Sequence, residues 1–260
     1  MTPLNNILSN AKLLMDRFKK GQLGTSKNLQ TMIEGIIFSA DIMQMYNNSL
    51  IQKMKCEINI YKPNVSCIIK INQKVKIFEI LKPFQPINMR RNNKIKVQCD
   101  DSSGEYFGLC ADWSYYQLIL YNVYQNAVKY NMSGGLILVS TFLTTDVSKI
   151  RAGPLEPKLY LVTDVSDQGE GISAENQEYL FDTFKKLRNG SKVLNKDMSI
   201  GVGLSCSKVL VNALGGDIFV LRSDRTGTCI RYFIPVNMVS KDQFFESQSP
   251  AYSGSISHSA

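Results

Sequence analysis

Apolar residues recur every three or four positions through the first fifty-odd residues, then alternate or gather into short runs. Leu4, Leu8, Ala11, Met15 and Phe18 share one helical face. GQLGTS (21–26) interrupts the pattern, and Thr25 or Ser26 can cap a following helix. The stripe then resumes: Leu29, Ile36, Met43 and Leu50 recur every seven residues, Ile33, Ala40 and Met54 fill the complementary positions, and Asn47 is the polar exception. Two such helices on a short connection make an antiparallel hairpin. A lone hairpin leaves apolar surface uncovered, so pairing with a second copy into a four-helix bundle is expected.

Beyond residue 55 the period changes. CEINIY (56–61) alternates as a strand does, Pro63-Asn64 turns the chain, and a helix is predicted from Ser66 to Phe84. KIKVQCD (94–100) reads as a strand and SSGEYFG as a loop. A long apolar helix is predicted to about Tyr130 with Asp112 as its cap. Strands follow at 136–143 and 159–165, a short helix at 174–180, a helix at 203–214, and strands at 217–221 and 229–234. Mixed helices and adjacent strands predict an α+β chain: a helical hairpin (1–55), a two-layer α/β sandwich (56–238), and a disordered Ser-rich tail (239–260).

Composition narrows the classes. Apolar residues are 44% and charged residues 20% of the 260, as in folded globular proteins, and no apolar run is long enough for a membrane helix. Six scattered cysteines without a CxxC pair suggest neither zinc nor a disulfide framework, and a reducing cytoplasm fits them. Of the net charge of +8, residues 1–100 carry 16 Lys/Arg against 6 Asp/Glu, a local +10. These cations are spread along helical stretches rather than gathered among aromatics, so a solvated basic stem is expected and nucleic acid is not.

Three short stretches could carry chemistry. On the helix ending at Tyr130, Asn122, Asn126 and Lys129 fall at i, i+4 and i+7, a polar stripe on an otherwise apolar helix. They are either satisfied structural amides or a polyphosphate site, in which amide oxygens ligate Mg²⁺ and the lysine faces phosphate. DQGEGIS (167–173) follows a strand, and Gly169 and Gly171 permit a left-handed turn or close approach of a ligand. Asp167 and Glu170 are too few for a calcium ladder, and no second carboxylate completes an acid–base pair. In SIGVGLSCSK (199–208), Gly201 and Gly203 precede a helix whose first amides could receive phosphate, or simply form a hinge.

Taken together, NVYQNAVKYN, DQGEGI, FDTF (181–184), GVGL and RTGT (225–228), in this order and spacing, resemble the ATP-binding domain of sensor histidine kinases. That domain belongs to a superfamily shared with type II topoisomerases, a heat-shock chaperone and mismatch-repair ATPases. The resemblance spans about residues 1–236, because the hairpin is similar to the family's dimerization and phosphotransfer helices.

The resemblance implies that Asn126 ligates Mg²⁺, that Asn122 and Lys129 lie near the phosphates of ATP, and that Tyr130 stacks on adenine. It implies that Asp167 accepts a hydrogen bond from the adenine amino group, that Gly169 and Gly171 shape the purine pocket, and that Thr228 supports that side. Phe181 and Phe184 would anchor a lid over 185–200, with Gly201, Gly203 and Leu204 closing on the phosphates. Lys185, Lys186 and Arg188 on the lid could meet phosphate charge, though solvated cations are the expectation. Glu170 would be incidental, and Ser205 stands where many members carry glycine.

MTPLNNIL resembles the segment just downstream of the family's phospho-acceptor histidine, and the sole histidine, His258, lies in the tail outside any motif. The sequence is therefore expected to be a piece of a longer kinase, soluble or membrane-anchored, or a protein without autophosphorylation. Thr2 matches a position used by some members to remove phosphate from a partner. The expected function is a histidine kinase core with ATP and Mg²⁺ as cofactors, a homodimer whose partner is a response-regulator receiver domain. The alternatives are a non-catalytic ATP-binding dimer that regulates a kinase, and a clamp-type ATPase.

Overall fold

The computed structural model describes residues 3–20, 26–69, 73–100, 107–151, 155–182 and 203–247. Helices α1 (Pro3–Lys19) and α2 (Ser26–Glu57) pack along one another. Gly35 lies against Asn10, and the two are equally far from the connecting segment, as an antiparallel hairpin requires. One face of α2, marked by Ser39, Ile42, Ser49 and Lys53, is buried, while Ile33, Ile37, Leu50, Ile51 and Met54 are exposed. The buried face packs on later helices, so the apolar stripe left exposed is the part available to another molecule.

CEINIY is not a strand. Helix α2 continues to Glu57 and closes when Asn59, at φ 54°, turns left-handed: Ile60 N–H bonds to Lys55 O and Asn59 N–H to Cys56 O, a Schellman end. The alternation of 56–61 overlapped the last helical turn, and an asparagine in the position after the helix was the signal that outweighed it. Nor is 66–84 one helix. Ser66–Ile69 is strand β1, and α3 starts at Gln73 and runs to Leu81, followed by a tight turn (82–84) and α4 (Gln85–Arg90).

The partner that draws β1 into a strand is β3 (Gly108–Ala111), distant in sequence, and β8 (Asn237–Val239) completes a three-stranded antiparallel sheet. Cys67 and Cys110 are direct partners across β1 and β3 and are joined as a disulfide, contrary to the expectation from their scattered spacing. Part of the segment expected as tail is helical. After β8, Lys241–Ser247 form α8, whose Phe244 and Phe245 close on Phe107.

The main sheet has five strands in the order β2 (Lys94–Cys99), β4 (Leu136–Thr144), β5 (Tyr160–Ser166), β7 (Gly227–Pro235), β6 (Asp217–Asp224); β2 and β4 are parallel and the rest antiparallel. Helices α3, α5 (Trp113–Tyr130) and α7 (Gly203–Ala213) cover one face; a short α6 (Ala174–Glu178) lies between β5 and α7 in the chain. Leu161 and Val165 of β5 and Ile230, Tyr232 and Ile234 of β7 join that core, whereas Tyr160, Val162 and Phe233 pack with Ile150 on the other side, as period-two alternation demands. Asp112 caps α5 as predicted, accepting from Tyr115 N–H, and its second oxygen takes Tyr61 O–H and Asn64 N–H from the linker after α2. No described helix is long and apolar enough to cross a membrane.

Candidate functional site

The site lies where α5, the loop leaving β5 and the start of α7 meet. Asp167 follows β5 directly. Its N–H donates to Thr228 O at 2.9 Å, so the β5–β7 ladder is extended by one residue before the loop departs. Its Oδ1 accepts from Gly169 N–H at 2.8 Å and from Thr228 N–H at 3.3 Å. No described residue donates to Oδ2. Burial raises the carboxyl above the usual carboxylate range, and the two amides, with the charge of Arg222, pull the other way.

The glycines of the loop are required by crowding. A side chain at Gly169 would collide with Tyr130 O, and one at Gly171, where φ is +78°, would collide with Asp224 O. Thr228 is buried; its hydroxyl shares a 3.0 Å hydrogen bond with Ser223 Oγ, which also accepts from Ile172 N–H at 2.7 Å. Tyr130, at the end of α5, is 52% exposed and presents an open ring, with Lys129 Nζ 4.9 Å from its centroid. One end of the site is thus a carboxylate, a half-exposed aromatic ring and a backbone too crowded for side chains, which suits a flat heterocycle that donates hydrogen bonds.

Farther along α5 the polar stripe faces α7. Asn122 is buried, and a Cβ on Gly203 would lie 3.7 Å from Asn122 Oδ1, so the first turn of α7 sits against this amide. Asn122 Nδ2 donates to Ser49 Oγ of α2 at 3.4 Å. Asn126 and Lys129 are half-buried on the same side, and no hydrogen bond or ion pair from a described residue engages either side chain. An unengaged amide oxygen beside an ammonium group and a helix N-terminus can hold a cation and phosphate oxygens.

The structure therefore brings together Asn122, Asn126, Lys129, Tyr130, Asp167, Gly169, Gly171, Gly203 and Thr228. Leu204 and Ser205 are buried in the first turn of α7. Phe181 is half-buried, with Lys208 Nζ 5.7 Å from its ring centroid. Glu170 is exposed and carries no described contact. Thr2, Phe184, Lys185, Lys186, Arg188, Gly201 and His258 lie outside the described residues. Sequence reasoning missed Asn131, Gln168, Ser223, Asn88, Asn93 and Arg91, which hold the loop from behind. Asn131 closes the NVYQNAVKYN stretch, so that motif was the available signal; Arg91 had none.

Residues 111–238 match the family described as Histidine kinase-, DNA gyrase B-, and HSP90-like ATPase. Hybrid signal transduction histidine kinase B of Dictyostelium discoideum is 26% identical over 242 residues, covering 86% of this chain and 12% of that protein. Sensor histidine kinase WalK of Bacillus subtilis (strain 168) is 30% identical over 128 residues, 49% of this chain and 19% of that protein. The chain thus spans a small part of the curated relatives it matches. Among solved structures, the Acinetobacter baumannii histidine kinase AdeS shares the fold, with a TM-score of 0.54 at 14% identity over 91% of this chain and 96% of that one. Residues 111–238 are thus similar to this ATPase family, and the likeness to AdeS extends to the fold of most of the chain.

Proposed function

We propose that this chain is the catalytic core of a sensor histidine kinase, binding Mg-ATP between α5, the Asp167 loop and α7 for phosphoryl transfer to a protein histidine. The observation that carries this reading is Asp167: one carboxylate oxygen is tied to two backbone amides while no described residue donates to the other, and the exposed Tyr130 ring ends the neighbouring helix. The residues present fit ATP and Mg²⁺. The glycines let the Asp167 loop lie directly against Tyr130 O and Asp224 O, where any Cβ would collide, and Asn126 offers a hard oxygen to a cation without giving up a described bond.

Asp167 accepts the adenine amino hydrogen, Tyr130 stacks on the ring, and Thr228 backs Asp167. Asn126 holds Mg²⁺, Asn122 and Lys129 face the phosphates, and Gly203 and Leu204 bring the first amides of α7 towards them. When bound, ATP supplies the phosphoryl group and Mg²⁺ offsets its charge; the chain contributes position and electrostatics rather than a covalent intermediate. The exposed stripe of α2 would pair with a second copy, and a receiver-domain aspartate would take the phosphoryl group next. The acceptor would be a histidine on a dimerization helix of a kinase or on another protein.

A second reading, a non-catalytic ATP-binding regulator, is favoured by one fact: the only histidine of the 260 residues is His258. Calorimetry with Mg-ATP and mass spectrometry for phosphohistidine, the latter on a histidine-bearing helical hairpin supplied in trans, separate the two. Phosphohistidine supports the kinase; tight Mg-ATP binding with no phosphoprotein supports the regulator. Unchanged Mg-ATP affinity in both Asn126→Asp and Asp167→Asn overturns the site itself.

A further inference from the structure

The two walls of the purine end are held by residues behind the pocket. Asn131, the residue after α5, is buried. Its Oδ1 accepts the N–H of Gln168, the residue after Asp167, at 2.8 Å, and its Nδ2 donates to Asn93 Oδ1 at 3.3 Å. Asn93 Nδ2 donates to Asn88 Oδ1 at 3.1 Å, and Asn88 Nδ2 donates to the Tyr124 hydroxyl at 3.0 Å, returning to α5. The Arg91 guanidinium forks onto the carbonyls of Lys129 at 2.8 Å and Asn131 at 2.5 Å, the two residues that flank Tyr130.

One turn between α4 and β2, residues 91–93, is therefore bonded directly to the Tyr130 side and reaches the Asp167 side through Asn131. The chemistry of each residue is specific. Only a side chain that accepts and donates at once can bridge Gln168 N–H and Asn93 Oδ1. Only a planar fork can take two carbonyls across one residue, and a lysine offers a single point charge instead. Arg91 also places its cation at the C-terminal end of α5, where the helix dipole favours it.

We propose that Arg91 and Asn131 are positioning residues for purine recognition, setting the separation between the Tyr130 ring and the Asp167 carboxylate. The proposal rests on the nucleotide-site reading above. It assigns these residues to the base end alone, so their loss weakens every ligand that carries adenine by the same factor.

The test compares ATP, ADP and adenosine, each with Mg²⁺ present, on the full chain and on Asn131→Ala, Arg91→Lys and Asn126→Ala, with circular dichroism and melting to establish folding. Asn131→Ala and Arg91→Lys are expected to weaken all three ligands about tenfold, the scale of one lost buried hydrogen bond, and to leave the ATP-to-adenosine ratio unchanged. Asn126→Ala is expected to weaken ATP and spare adenosine. If Asn131→Ala does not fold, Arg91→Lys carries the test. Unchanged adenosine affinity in folded variants, or a larger loss for ATP than for adenosine, overturns the proposal. A wild-type protein that binds none of the three overturns the nucleotide-site reading, and the clasp with it.

Discussion

The two ends of the proposed nucleotide site are built on opposite plans. At the purine end the chain satisfies itself: Asp167 Oδ1, Gly169 N–H, Thr228 N–H and Gln168 N–H are all bonded before any ligand arrives, and one carboxylate oxygen is left over. At the phosphate end no hydrogen bond or ion pair from a described residue engages the side chain of Asn126 or Lys129, and Asn122 has a single long bond to α2. A neutral flat ring gains from a preformed slot, because its hydrogen bonds are few and directional. Phosphates and a cation bring their own charge, so the residues that receive them need position rather than prior partners. Changes at the first end should act through geometry on any adenine ligand; changes at the second should act only on charged ones.

The largest effect is expected from Asp167→Asn. Replacing the spare carboxylate oxygen by an NH₂ sets a donor against the adenine amino group, and affinity for ATP and adenosine should both fall about 100-fold, the scale of a lost charge-assisted hydrogen bond left mispaired. The folded protein should not suffer. Oδ1 can keep both amide bonds, and the variant avoids burying a charge.

The sign follows from the raised native pKa: relative to the unfolded chain, the native carboxylate is costly to ionise, so wild-type stability falls as pH rises from about 3.9 through that raised value. Melting curves should therefore coincide at low pH, and the asparagine variant should melt higher at neutral pH. A variant that melts lower at pH 7 would show that the carboxylate holds the loop rather than reads the ligand.

Asn126→Ala comes next. With no described bond to lose, it should leave the melting temperature nearly unchanged and lower Mg-ATP affinity about tenfold, with adenosine untouched. Titration with and without Mg²⁺ checks the role: the wild-type advantage should vanish when Mg²⁺ is chelated. Equal losses for ATP and adenosine would erase the distinction between the ends.

How much of this was visible in the chain follows the same division. The polar stripe of α5, the Asp112 cap, the glycines after β5 and most strands of the main sheet are local patterns, and each emerged where the spacing placed it. Strands β1, β3 and β8 are short and owe their conformation to one another across long separations, so SCII looked like the start of a helix until its partner GLCA was in place. Arg91 was invisible for the same reason: a lone arginine after a helix has no signature, and its meaning comes from two carbonyls 38 and 40 residues away. The exposed stripe of α2 was legible as a heptad, but the burial of its other face against α5 and α7 was not.

The smallest expected effect tests whether the hairpin takes part in the contrast. Ser49 of α2 accepts a hydrogen bond from Asn122 at 3.4 Å, beyond the usual 2.7–3.2 Å range for N–H···O bonds. So long a bond contributes little, and Ser49→Ala should lower stability by about 0.5 kcal/mol or less. It frees one amide hydrogen beside the first turn of α7, so Mg-ATP affinity should rise, by about twofold at most, while adenosine affinity stays constant. A tenfold rise for Mg-ATP alone would mean that α2 competes with the phosphates for Asn122, and the phosphate end would then be occupied by the hairpin rather than open. A change in adenosine affinity would mean that α2 reaches the purine end, and the two plans would no longer be separate.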